Sequence, residues 1–298
     1  MEYSSTASKR TEGQGAKLAE VPVASIFTRG ESVDGLFWDT VGAGPPLIVV
    51  HGAMGFDHTY FRPWLDRLGE RAQVVYFDLS GCGESQPTDE ISIERWADDV
   101  EAVREAAGCE RVTVLGHSMS TWIALEYARR WPERTSSLIL CCGTPTFDFV
   151  EEIFAAATRR FTEAQLHDLQ TIHTVSTLDE ATYRRLLLSI LPLYFRHYRH
   201  EYGAGFSAMR FDARVYLHTR NTYLAGYDCT PWLKSIDVKT LVLAGRDDVI
   251  TPPDRAGSRF VDLMPNATLH VFEESGHFPF IEEPEAFTEV VGEWLGGR

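Results

Sequence analysis

The chain contains no apolar run long enough to span a bilayer, no charged-then-apolar leader, and no spacing of cysteine and histidine that suits a metal. Each absence narrows what it is expected to do. A membrane helix needs about 20 consecutive apolar residues. The first twenty residues are polar, with Ser4-Ser5-Thr6 and Lys9-Arg10, and lack the apolar core of a secretory signal. Cysteine is sparse and odd in number, at five. Cys141 and Cys142 are neighbours on a strand-like run, which suits a reducing, cytoplasmic setting better than a disulfide framework. There is no CxxC and no HExxH, so neither a metal nor another cofactor is expected. Gly42-Ala43-Gly44 runs into Pro45-Pro46 and lacks the third glycine and the helix of a dinucleotide fingerprint. Positive charge is also in short supply: 28 Lys and Arg stand against 43 Asp and Glu, a net charge of −15. That balance argues against nucleic acid, whose binding rests on neutralising phosphates, and against adsorption to anionic membranes. A small-molecule substrate is the partner left standing. A homodimer is compatible with the composition.

What the chain does have is a hydrophobic content of 44% over 298 residues, enough for a full core plus an insertion. From Val21 to Thr144, short β-rich runs alternate with amphipathic segments such as Ile93 to Ala107, where Ile93, Trp96, Val100 and Val103 recur at helical spacing. This rhythm predicts an α/β fold with a mostly parallel sheet flanked by helices. Between about Phe147 and Tyr227 the strands vanish and the text becomes helical, rich in arginine and aromatics. Strand rhythm resumes at Thr240. The expected organisation is a flexible segment over 1–20, a core built from 21–146 and 228–298, and a helical cap over 147–227. An insertion at that point lies over the C-terminal edge of the sheet, where ligands bind.

Three islands carry the chemistry. Gly116-His117-Ser118-Met119-Ser120 follows the strand-like Arg111 to Leu115 and precedes a helical run from Thr121 to Ala128. A sharp strand-to-helix turn strains its apex residue and needs small neighbours, leaving the Ser118 hydroxyl exposed above unpaired helix N–H groups. A hydroxyl needs a base that titrates near neutrality. His277 lies on a loop just past the strand Thr268 to Phe272 and is assigned that role. His58, His167, His173, His197, His200, His218 and His270 read as structural, and His51 and His117 as packing or loop-orienting residues. The imidazole in turn needs a carboxylate to fix its tautomer. Asp248, after the strand Thr240 to Ala244 and the Gly245 turn, is preferred over Asp247, which reads as a solvated loop carboxylate. Thr251-Pro252-Pro253 is expected to start the next helix. Serine, acid and histidine in that chain order predict a serine hydrolase.

With these residues in place, the chain from about residue 20 to 298 resembles the α/β-hydrolase fold family. His51-Gly52-Ala53-Met54-Gly55 resembles its HGxPG loop, and Asp78-Leu79-Ser80-Gly81-Cys82-Gly83-Glu84-Ser85 is similar to its DxRGxGxS loop. Gly276-His277-Phe278-Pro279-Phe280-Ile281-Glu282-Glu283-Pro284 matches the segment around its histidine. Within the family the chain is most similar to proline iminopeptidase-like hydrolases. It departs from them in carrying Ala53-Met54 within HGGPG, and Ser118-Met119-Ser120 in place of the SWGG of GxSWGG. The resemblance implies an inserted helical cap, an acyl-enzyme on Ser118, and an oxyanion hole made by the backbone N–H groups of Ala53 and Met119.

The substrate side is thinner. Phe56, Trp122, Phe147, Phe149 and Phe278, with Met119, are expected to wall an apolar acyl pocket. An aminopeptidase also needs cap carboxylates for the substrate ammonium, and Asp148, Glu151, Glu152, Glu201 and Asp212 are available. The many cap arginines point the other way, towards an acidic substrate. Four readings stay open: an esterase or lactonase, an aminopeptidase of proline iminopeptidase type, a carbon-carbon bond hydrolase suggested by the Ser118-Met119 pair, and a low-turnover binding protein. Dehalogenase and epoxide hydrolase chemistry would require Asp at position 118.

Overall fold

The computed structural model describes residues 28–30, 32–52, 55–224 and 226–297. The polar segment 1–20, Ala53 and Met54 lie outside the described residues.

Among the described residues eight strands form one sheet: β1 (Thr28–Arg29), β2 (Trp38–Val41), β3 (Pro46–Val50), β4 (Gln73–Phe77), β5 (Val112–His117), β6 (Thr135–Cys141), β7 (Thr240–Gly245) and β8 (Ala267–Phe272). Their order is β1-β2-β4-β3-β5-β6-β7-β8. From β4 to β8 every pairing is parallel, whereas β2 runs antiparallel to β4 with Trp38 opposite Phe77. Strands buried on both faces read as continuous apolar text rather than as alternation, and Leu47-Ile48-Val49-Val50 is such a run. Period two still sorts the side chains. Leu47 and Val49 join Val74, Tyr76, Leu115 and Ile139 in one core. Ile48 and Val50 join Val75, Val114, Leu138 and Leu140 in the other.

Helices close both faces. α1 (Ile93–Ala106) begins at Ser92, whose side chain accepts from the Arg95 N–H, and it buries Ile93, Trp96, Val100 and Val103. With α2 (Thr121–Arg130) it covers the second core. Between β6 and β7 the described residues form five α-helices and no strand: α3 (Val150–Arg160), α4 (Glu163–Thr174), α5 (Glu180–Ile190), α6 (His200–Ala208) and α7 (Ala213–Thr219), the last running into a π-helical turn at Arg220–Leu224. α4 opens with a reciprocal capping box between Thr162 and Gln165. These helices bury Ile153, Leu169, Ile172, Tyr183, Leu186 and Phe206 against the first core. After β7 and β8 the chain finishes with α8 (Gly257–Leu263), α9 (Pro279–Glu282) and α10 (Pro284–Leu295).

α8 differs from expectation, since it starts at Gly257 rather than at Thr251-Pro252-Pro253. The residue before a proline is pushed out of the helical region, so Pro253 disfavours helix at Pro252. The Pro252 carbonyl instead accepts from both Arg255 and Ala256 in a turn. Among the described residues no helix is long and apolar enough to cross a membrane. All five cysteines are buried free thiols.

Candidate active site

The C-terminal ends of β3, β5, β7 and β8 deliver four loops to one place. β5 ends at His117, and Ser118 follows with φ of 60°, a left-handed conformation that non-glycine residues seldom adopt. A short 3-10 turn over Ser118–Ser120 then leads into α2. The turn is tight enough that a Cβ on Gly116 would come within 2.5 Å of the Ser120 carbonyl oxygen. Ser120, where the family motif ends in glycine, is fully buried and used. Its hydroxyl donates to Val50 O at 2.7 Å and accepts from the His117 N–H at 2.8 Å, tying the turn to the end of β3.

Ser118 Oγ lies 2.9 Å from His277 Nε2, and His277 Nδ1 lies 2.8 Å from Asp248 Oδ2. Glycine also permits the approach of the loops that carry the last two, because a Cβ at Gly245 would fall 2.0 Å from the Gly276 carbonyl oxygen. Asp248 Oδ1 accepts from the backbone N–H groups of Ile250 at 2.9 Å and Thr251 at 3.0 Å, and the Thr251 hydroxyl donates to Oδ2 at 2.7 Å. Burial alone would raise the Asp248 pKa. The adjacent His277 and the Thr251 hydrogen bonds outweigh it and hold the carboxyl below its ordinary range. Asp248 is therefore a carboxylate, and with Nδ1–H bound to it, His277 presents a lone pair at Nε2 to the serine. Asp247 turns away and pairs with Arg196 instead of standing free in solvent.

A second relay braces the first. The Gly52 N–H donates to the Tyr60 hydroxyl at 2.8 Å, Tyr60 Oη lies 2.9 Å from His117 Nδ1, and His117 Nε2 lies 2.9 Å from the His277 carbonyl oxygen. A carbonyl only accepts, so Nε2 carries the hydrogen and Nδ1 accepts from Tyr60. Burial, with His277 alongside, pushes the His117 pKa down to about 3, so this ring is neutral. The relay joins the loop after β3 to the backbone of the histidine loop. His117 was expected to orient loops; Tyr60 had no motif to mark it.

Met119 stands in the first turn after Ser118, where helical N–H groups lack intrahelical partners. Cys142 Sγ, Asp248 and His277 offer ligand atoms within 4.8 Å of one another. The carboxylate and the imidazole already satisfy each other, and burial raises the Cys142 thiol well above its ordinary range, so this set is a poor thiolate site.

Ser118 and His277 open onto an apolar cavity of about 110 Å³, somewhat below the ~150 Å³ that encloses a benzene ring. Phe56, Met119, Phe147 and Phe278 line it, joined by Tyr183, Tyr194, Tyr216 and Phe206 from the helices between β6 and β7 and the turns between them. Two expected wall residues stand behind it. Trp122 points into the second core, its ring tilted against Tyr227 with centroids 4.4 Å apart and its indole N–H donated to Thr144 O at 2.6 Å. Phe149 is buried behind Phe147, ring centroids 5.3 Å apart. Tyr194 closes over the histidine: its ring packs edge-on at 5.4 Å and its carbonyl accepts the His277 N–H at 2.6 Å.

A family model described as alpha/beta hydrolase fold matches residues 45–284. The chain belongs to that family. It is a hydrolase acting on a small-molecule substrate, on a sheet and helix arrangement common to its structural neighbours. It is 27% identical over 277 residues to a proline iminopeptidase of Heyndrickxia coagulans, covering 87% of this chain and 93% of the relative. Among solved structures, an esterase from Exiguobacterium antarcticum superposes with a TM-score of 0.71 at 22% identity, covering 90% of this chain and 99% of that one. The proline iminopeptidase of Mycobacterium smegmatis gives a TM-score of 0.70 at 23% identity, covering 91% and 98%.

Proposed function

We propose that the chain hydrolyses a small carboxylic ester or lactone through an acyl-enzyme on Ser118. The observation that carries this reading is the unbroken hydrogen-bonded row from Ser118 Oγ through His277 to Asp248, opening on an apolar cavity. Ser118 Oγ attacks the carbonyl carbon as His277 Nε2 takes its proton, and Asp248 stabilises the imidazolium. The oxyanion is met by the Met119 N–H and by the N–H of Ala53. The tetrahedral intermediate collapses, and His277 returns the proton to the departing alkoxide. Water, deprotonated by His277, then attacks the acyl-enzyme and frees the acid and Ser118.

Aminopeptidase action is the second reading, favoured by the relatives named proline iminopeptidase. A substrate ammonium in a dry cavity requires a carboxylate beside it. Asp148 pairs with Arg259, Glu152 pairs with Arg255, and Asp212 caps α7, while none of these nor Glu151 or Glu201 lines the cavity. Ester cleavage demands only the row and the oxyanion donors, so it is placed first.

Fluorophosphonate labelling of wild-type and Ser118→Ala proteins, beside a panel of phenyl esters, lactones and aminoacyl anilides, tests both readings. Labelling lost in the variant and turnover of esters over anilides is the expected result. Labelling that survives the substitution removes Ser118 as nucleophile, and a proline anilide cleaved faster than every ester moves the assignment to the peptidase.

A further inference from the structure

Among the described residues, the wall of the cavity that holds Ser118 includes one arginine and no acid to match it. Arg220, at the start of the π-helical turn after α7, lines its wall and is 9% exposed. Buried arginines are ordinarily paired with carboxylates. Arg220 instead donates Nη1 to Ile172 O at 2.9 Å, Nη2 to Val175 O at 2.6 Å, and Nε and Nη2 to Asn221 Oδ1 at 3.1 and 3.0 Å. All of these acceptors are neutral, and among the described residues it forms no ion pair with a carboxylate. The guanidinium has five N–H donors, so one on Nη1 stays uncommitted. Around it the wall adds no negative charge: His173 is held neutral by burial with Nδ1 on Leu169 O, and Tyr216 donates its hydroxyl to Ile172 O. Thr219, 1% exposed on the same wall, has a hydroxyl with no protein partner. π-helical turns recur at functional sites.

We propose that Arg220 is the recognition site for a carboxylate on the substrate, so that the enzyme acts on acyl compounds carrying a second, free acid group. This rests on the hydrolytic reading above and names its substrate class. In a chain of net charge −15, a buried cation facing the reaction cavity attracts an anion where the outer surface repels one. The two bonds from Arg220 to the end of α4 fix the guanidinium plane, so an incoming carboxylate meets an already oriented donor, and the apolar walls strengthen the contact by excluding water.

The test compares kcat/KM for monoethyl succinate, glutarate and adipate with that for ethyl butyrate, pentanoate and hexanoate, following acid release by pH-stat. A parallel set carries the carboxylate on the alcohol side, as butyrate esters of glycolate and 3-hydroxypropanoate. The wild-type protein should prefer one acidic set over its neutral counterparts, and Arg220→Gln should lower that ratio roughly 10- to 100-fold, the worth of a hydrogen bond to a charged group. Arg220→Lys should retain part of it. A wild-type ratio at or below one in both sets, or a ratio unmoved in Arg220→Gln, overturns the proposal. Because Arg220 also ties down α4, a measurement on the wild-type enzyme stands beside the variants: adipate should inhibit neutral-ester hydrolysis at least ten times more tightly than hexanamide, and equal inhibition refutes the site. Acidic and neutral esters alike left uncleaved by wild-type protein, or either set cleaved by Ser118→Ala, would instead refute the nucleophile assignment, so the two failures are distinguishable.

Discussion

Replacing Tyr60 by phenylalanine tests the bracing relay with a single oxygen. The hydroxyl is the acceptor for the Gly52 N–H and the donor to His117 Nδ1, at 2.8 and 2.9 Å, on a side chain only 2% exposed. Phenylalanine keeps the ring contacts with Phe61 and Phe206 but strands two buried polar groups. Each stranded group costs about 1–3 kcal/mol. Partial relaxation brings the expected loss to about 3 kcal/mol, a sizeable share of the 5–15 kcal/mol that typically holds a domain together. Gly52 also opens the loop whose next N–H is proposed to meet the oxyanion, and His117 holds the His277 backbone, so kcat should fall about tenfold through a shift of both groups.

Urea denaturation with an unchanged m-value measures the stability term, and ester turnover measures the other. The pair Tyr60→Phe and His117→Phe supplies the discriminating cycle. With both replaced, the orphaned imidazole nitrogen is gone and only the Gly52 N–H and the His277 carbonyl remain unpaired. The double variant should therefore be about 1–2 kcal/mol more stable than the sum of the single losses predicts. Tyr60→Phe within about 0.5 kcal/mol of wild type, or a strictly additive double variant, would refute the relay.

Ser118→Gly should be about 1 kcal/mol more stable than Ser118→Ala in urea, because glycine relieves the positive φ of 60° while both lack the nucleophile. Equal midpoints would deny that the elbow is strained. Ser120→Gly, although it restores the family's usual residue, should destabilise by about 1–3 kcal/mol, since Val50 O and the His117 N–H lose their shared partner. A neutral result would show that the hydroxyl is dispensable. For pH, burial raises the Asp99 carboxyl from an ordinary 3.8 to about 6, against the opposing Ser80 N–H and Arg95. Between those values the folded chain binds more protons than the unfolded one, so its stability declines as pH rises from about 4 to 6 and then levels off, by at most about 3 kcal/mol. Asp99→Asn should flatten that slope in denaturation curves taken across the range, and an unchanged slope would assign it to another group.

The parts of this molecule legible in the sequence share one property: their meaning is local. Leu47 to Val50 and Thr240 to Ala244 read as buried parallel strands because an apolar run between turns has few other uses, and they form β3 and the body of β7. Ser118, Asp248 and His277 were each marked by the strand end before them, which is also why the structure brings them within hydrogen-bonding reach. The choice of Asp248 over Asp247 followed from one residue of spacing after Gly245, and the neighbour's ion pair with Arg196 shows what the other position is for. Trp122 was misplaced as a pocket wall because distance along the chain from Ser118 says nothing about which side of α2 a side chain faces. One position in a helix turns the side chain by about 100°, enough to move it from cavity to core.

The segment between β6 and β7 was legible as helical and illegible as a surface. Its cavity residues come from all five helices, α3 to α7, and the turns between them, separated by dozens of positions with no motif in common. Arginine in that region is frequent, and in sequence Arg220 is indistinguishable from Arg159, Arg184 or Arg185. What separates it is the conjunction of burial and the lack of a carboxylate, and a missing partner is visible only when every neighbour has been placed. Arg184 packs over Phe211 and binds the carbonyls of Ser207 and Met209, and Arg185 pairs with Asp168 at the surface. Those two are accounted for by the fold itself. Arg220 spends most of its donors on the end of α4 and on Asn221 and lies over the Tyr216 ring, yet among the described residues it has no carboxylate partner at the cavity wall, which is the gap the proposed substrate carboxylate would fill. On that proposal the readings left open by the motifs are ranked: an aminopeptidase substrate would bring a second cation to Arg220, whereas an acidic acyl compound cleaved at Ser118 would bring its counter-charge.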